Sequence, residues 1–207
     1  MHEYAHSVFD TYFRREIPEY EEFVNRGVQF LEEHSEHNAT DIVTDEEMLK
    51  AKKYEQLVRP YDELLADLAV ALYFSAPNAP AKGLHKKIRL ENGVIWTWLI
   101  CSSDGDLKIR SFDQKCSESS FGVYSNHGFF APIRSQIWSL YQSMGYSPAR
   151  FLKAVVDAAI LEIRDRIKKS DLVNFNVSVE GKRLLLSGDV SRINQQFLEQ
   201  IYSQIKK

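Results

Sequence analysis

Residues 2 to 6 read His-Glu-Tyr-Ala-His. This is H-E-x-x-H, a spacing that puts two histidines one helical turn apart, where they can hold zinc while the glutamate takes a proton from water. In zinc hydrolases the motif lies on a helix within a folded domain, and a third ligand comes from further along the chain. Here the motif opens the sequence, where no upstream chain is expected to wall a cleft. On a helical projection His2 and His6 fall on the rim of an apolar stripe beside Phe9 and Phe13, a common setting for half-buried histidines. The expectation is that they are helix-surface groups and that no cofactor is bound. A metal reading stands as the alternative. If Ile17-Pro18 is a tight turn between antiparallel helices, the end of the second helix returns His34 and His37 beside His2 and His6, and four histidines converge on zinc or another transition metal.

A second constellation combines tryptophans with cations. Asn92-Gly93 and Asp104-Gly105 are hairpin signals that divide residues 86–112 into three strand-like runs, which predicts an antiparallel meander. The register that keeps charge out of the apolar side puts Ile88, Leu90, Ile95, Leu99, Cys101, Leu107 and Ile109 on one face. The other face carries Lys87, Arg89, Trp96, Trp98, Lys108, Arg110 and Phe112. Aromatic rings beside Lys and Arg suit stacking on single-stranded nucleic acid, and equally a protein partner or internal cation-π pairs. A third set, Cys116 and His127 with Asp113 as an orienting group, suggests a thiol-imidazole pair, although neither a helix N-terminus nor a fixed base is evident to activate the thiol.

The elements that must position these groups follow from periodicity. Apolar residues recur at helical spacing over residues 3–15, from about Pro18 to His34, and again after a Thr44–Glu47 capping box, with Pro60 kinking or splitting that helix. The Pro- and Gly-containing segment APNAPAKG then marks a boundary. Past the meander come a helix from about Pro132 to Met144 closed by Gly145, and a core helix started by Ser147-Pro148. A hairpin around Glu180-Gly181 and a C-terminal helix capped by Ser191 complete the chain. The predicted class is α+β: an acidic helical module of residues 1–75, a linker over 76–82, and an α+β module over 83–207, the alternative being that the two modules pack as one compact domain.

Charge divides at the same place. Residues 1–75 carry 7 Lys and Arg against 17 Asp and Glu, a net of −10, and residues 76–207 carry 19 against 12, a net of +7; together they give the chain's −3. With 44% hydrophobic and 27% charged residues the composition is that of a globular protein, which excludes a disordered chain. Neither a membrane-spanning run nor a signal peptide is evident, and two cysteines make no disulfide framework, so a soluble protein of a reducing cytoplasm is expected. Without a phosphate loop or nucleophile elbow, the sequence points to a non-enzymatic binding or regulatory protein. Its expected partner is another protein, met through the tryptophan face and the acidic helices. Single-stranded nucleic-acid binding and a histidine-dependent metalloenzyme are the two alternatives.

Overall fold

The structure is a computed structural model that describes residues 1–22, 24–25, 46–82, 110–116, 127–169, 176–180, 183–187 and 190–207, with backbone alone for 46–56, 176–180 and 183–187. Most of these residues are helical: α1 (His2–Glu16), α2 (Glu46–Tyr73), the single turn α3 (Ala79–Lys82), α4 (Ala131–Met144), α5 (Pro148–Lys168) and α6 (Val190–Ile205). Between α5 and α6, β1 (Asn176–Glu180) pairs antiparallel with β2 (Arg183–Ser187), Val177 opposite Leu186 and Val179 opposite Leu184.

Local chemistry sets the helix ends. Ile17 leaves helical geometry, with φ −128° and ψ 83°, because the ring of Pro18 disfavours the helical region for the residue before it. Gly145 closes α4 in the left-handed conformation at φ 63° and ψ 21°, which a residue with a Cβ adopts at a cost. The Ser147 hydroxyl accepts from the Arg150 backbone N–H at 3.3 Å, and Pro148 occupies the first turn of α5, where no donor is lost. Pro60 does not divide α2, which continues across it.

One hydrophobic cluster joins the helices. α1 contributes Ala5, Phe9 and Phe13; α2 contributes Leu57, Tyr61, Leu64, Leu65, Leu68 and Ala71. α5 adds Phe151, Val155, Ala159 and Ile163, while α6 adds Ile193, Phe197 and Ile201. Residues on both sides of the 76–82 segment thus share one core. α2 packs against both α1 and α5, and α5 packs against α6. Phe197 is fully buried between Tyr61 and Phe130, each with its ring centre 5.1 Å away. Burying an aromatic side chain of that size contributes roughly 2–3 kcal/mol. The consequence for the site is that α1 lies fixed along the second half of α2.

The α+β class with a three-stranded meander is overturned: the described fold is helical, with one two-stranded hairpin. Residues 87–109, most of the expected meander, lie outside the described residues. Its expected last residues contain no strand: Arg110 is in a turn, and Phe112 sits in a bend. Both are buried, Arg110 at 9% and Phe112 at 1% exposure. The alternation argument assumed that charge faces water. It fails at Arg110 because a carboxylate inside the protein, that of Asp67, draws the guanidinium inward. The Thr44–Glu47 capping box also falls partly outside the described residues.

No helix among the described residues is long and apolar enough to cross a membrane.

Candidate metal centre

The side of α1 opposite solvent carries His2 and His6, one turn apart, their rings edge to face with centres 4.3 Å from one another. Facing them, α2 presents Asp62, Glu63 and Asp67, of which Glu63 and Asp67 are also one turn apart. α2 is held in that rotation by Leu64, Leu65 and Leu68, all fully buried, so its carboxylates have no course but to enter the α1–α2 seam. The turn before α4 adds His127, and α4 itself adds Arg134.

Three histidine nitrogens surround one oxygen. Glu63 Oε2 lies 2.9 Å from His127 Nδ1, 3.5 Å from His6 Nε2 and 3.7 Å from His2 Nε2. In a tetrahedral zinc site with bonds of about 2.1 Å, donor atoms stand roughly 3.4 Å apart. Each α1 histidine thus stands from Glu63 Oε2 at about the separation expected between two ligands of one ion. The other nitrogen of the His6 ring, Nδ1, lies 2.7 Å from Asp62 Oδ2, the carboxylate–histidine pairing that fixes the ring orientation of metal-binding histidines. His2, Glu3 and His6 also place one donor atom each within 4.8 Å of one another.

Behind this set lies an ionic knot centred on the fully buried Asp67. Asp67 receives Arg110 Nε at 3.0 Å and Arg110 Nη2 at 2.5 Å on Oδ1, and Arg134 Nη2 lies 2.9 Å from Oδ2. His2 Nε2 is 3.1 Å from Asp67 Oδ1, and Arg110 Nη2 also contacts that same His2 nitrogen. The guanidinium thus stands on the side of His2 from which an ion would approach.

Protonation reflects these contacts. His6 is pushed up to about 10, chiefly by its hydrogen bond to Asp62 and then by Glu63. Burial works to raise Glu63, but hydrogen bonds from His127 and His6 outweigh it and hold the carboxylate well below its ordinary value. Asp67 behaves likewise, burial being overcome by the charge of Arg134 and by His2 and Arg110. Asp62 is raised, because desolvation outweighs its contact with His6. A protonated His6 supplies positive charge to Asp62 and Glu63.

The seam opens to solvent as a cavity of about 500 Å³, lined by His2, Glu3, His6, Arg59, Arg110 and His127 among others. The Glu3 side chain is 93% exposed and projects at this mouth, 3.4 Å from His2 Nδ1. The cavity thus brings together a nitrogen–oxygen donor set, an exposed carboxylate beside it, and the cationic groups of Arg59 and Arg110.

Of the histidines singled out in the sequence, His2 and His6 come together, while His34 and His37 lie outside the described residues. So do Lys87, Arg89, Trp96, Trp98 and Lys108 of the tryptophan face. Arg110 lies in the ionic knot, and Phe112 packs under Arg134, whose guanidinium carbon is 4.9 Å from the ring centre, and near Trp138 at 6.4 Å. Cys116 is buried and disulfide-bonded, so it offers His127 no thiol; the Ser111 hydroxyl donates to Asp113. Sequence reading missed Asp62, Glu63, Asp67 and Arg134, and gave His127 a different role. Their one signal was the Asp-Glu-x-x-x-Asp spacing on an otherwise apolar helical face, where three carboxylates need partners from elsewhere.

No family model, no curated protein and no solved structure matches this chain.

Proposed function

We propose that the protein is a zinc-dependent hydrolase of amide or ester bonds, with His2, His6 and Glu63 as the metal ligands and Glu3 as the general base. The observation that carries this reading is the spacing of Glu63 Oε2 from the two α1 histidines, 3.5 and 3.7 Å. Two histidines and a glutamate with an open position make up a donor set of catalytic zinc.

His2, His6 and Glu63 would hold a divalent cation, which would supply a water of lowered pKa and a Lewis acid for a carbonyl oxygen. The protein's own groups do the rest. Glu3, at the cavity mouth, accepts a proton as water adds to the carbonyl and delivers it to the leaving nitrogen or oxygen. His127 and Arg110 line the same cavity and offer N–H donors to the negative charge that develops on the carbonyl oxygen. Asp62 keeps the His6 ring turned toward Glu63.

The test is zinc titration of the untagged chain followed by digestion of a mixed peptide library read by mass spectrometry. One zinc per chain bound tighter than micromolar, with cleavage abolished by a chelator and restored by zinc, supports the reading. Failure to bind zinc at that strength overturns it.

A further inference from the structure

We infer that the cleft between α4 and the end of α6 is a binding site for a small phosphomonoester that carries hydroxyl groups, such as a sugar phosphate or a nucleotide. The cleft is a cavity of about 680 Å³ and shares no lining residue with the metal cavity. The inference therefore stands apart from the zinc reading. Small-molecule pockets commonly measure about 300–1,000 Å³, a range that includes this one.

Charge selects the sign of the ligand. Lys115, a few residues past Arg110, and Lys206, just past α6, both line the cavity, and no Asp or Glu does. Neither ammonium group has a hydrogen bond or ion pair among the described residues. A phosphomonoester carries about −1.5 to −2 at pH 7 on three acceptor oxygens, which suits two unpaired cations brought in from separate stretches of chain.

The wall contributed by α4 suits the rest of such a molecule. Ser135, Ser139 and Ser143 recur at every fourth residue and so share one helix face, which lines the cavity. The Ser139 hydroxyl donates to the Ser135 carbonyl oxygen and the Ser143 hydroxyl to that of Leu140, each at 2.9 Å. With those protons committed to the helix, the two oxygens offer a ligand lone pairs, which accept from hydroxyl groups and not from an ionised phosphate. The lysines and the serines are thus matched to different parts of one ligand. Tyr202, 44% exposed, lines the same cavity and offers a ring face for a sugar or base to lie against.

Helix stability does not account for this face. The one charged residue of α4, Arg134, is buried, so the cavity side of the helix is uncharged in a chain with 27% charged residues. Serine is a poorer helix former than the Lys, Glu and Gln that commonly cover solvent-facing helices.

The experiment is isothermal titration of the full chain with glucose 6-phosphate and with AMP, beside glucose and inorganic phosphate as controls. A chelator is present throughout, so that no metal ion holds the phosphate. At least one of the two esters is expected to bind with a Kd below about 1 mM, and each control at least tenfold more weakly. Which ester binds more tightly distinguishes a sugar phosphate from a nucleotide. Lys115→Gln/Lys206→Gln removes the cations and Ser139→Leu fills the cavity from an exposed position; each is expected to weaken binding at least about tenfold at unchanged helical circular dichroism. No binding of either ester, inorganic phosphate bound as tightly as the esters, or an affinity unchanged in either variant overturns the inference. Should the paired lysine variant not fold, Lys206→Gln alone replaces it, and an unchanged affinity there is equally fatal. Zinc uptake plays no part in any of these outcomes, so the two readings stand or fall separately.

Discussion

His6 Nδ1 lies 2.7 Å from Asp62 Oδ2, so the ring is held with its Nε2 directed at Glu63. That contact separates a histidine resting on a helix surface from one oriented to bind. Asp62→Asn keeps the side-chain size but weakens the charge-assisted bond. It is expected to lower zinc affinity about 10–100-fold with the fold unchanged, measured by chelator competition beside circular dichroism.

Glu3 is close to the donor set but is not one of the proposed ligands. Glu3→Gln is expected to retain one zinc per chain while lowering kcat about 100- to 10,000-fold, as loss of a general base does. Metal content and turnover on a cleaved peptide must be measured on the same preparation. A variant that loses both identifies Glu3 as a ligand instead.

Arg110 stands on the approach to His2 Nε2 and pairs with Asp67. A cation must displace it or share the site with its charge. Arg110→Met is therefore expected to bind zinc about tenfold more tightly than the parent, since unit charges a few ångströms apart at a protein surface repel by a few kcal/mol before screening. Weaker binding in this variant would show that Arg110 supports the site.

The core should respond independently of metal. Phe197 is fully buried against Tyr61 and Phe130. Phe197→Ala is expected to cost about 3–5 kcal/mol in urea unfolding of the metal-free chain, without altering the number of zinc ions bound by the folded fraction.

Glu162 and Arg166 form a buried pair on α5, 3.1 Å apart. Burial raises Glu162 above its ordinary value, opposed by Arg166. A carboxyl whose folded pKa exceeds its unfolded one contributes stability that is full below the unfolded pKa and lost as pH rises through the folded one. The stability of the parent relative to Glu162→Gln is therefore expected to increase as pH is lowered from 7 to 4, measured by urea midpoints at each pH.

Some of the site was legible in the sequence. H-E-x-x-H names two of the proposed ligands and the base, and their helical spacing puts both histidines on one side of α1. The third ligand was sought in His34 and His37, on the premise that α1 packs against the helix that follows it. His34 and His37 lie outside the described residues; among the described elements α1 packs along α2, whose carboxylates are more than 50 residues away in sequence. Periodicity shows which face of a helix is buried, but not which helix covers it. Glu63 and Asp67 sit beside leucines that mark a core face, and their burial makes sense only once His2, His6 and the two arginines are brought to them. Arg110 was misread for the same reason, its side chain being drawn inside by a charge that no local pattern reveals. The signals at Gly145 and at Ser147-Pro148 were readable because they act within four residues of the helix ends they set.

The most direct measurement is the zinc content of the untagged protein and of Glu63→Ala, each dialysed against a zinc buffer, passed over a size-exclusion column and analysed for metal across the folded peak. One zinc per chain in the parent and none in Glu63→Ala is the expected result. A metal-free parent, or a Glu63→Ala variant that keeps its zinc, would contradict the assignment of His2, His6 and Glu63 as one metal centre.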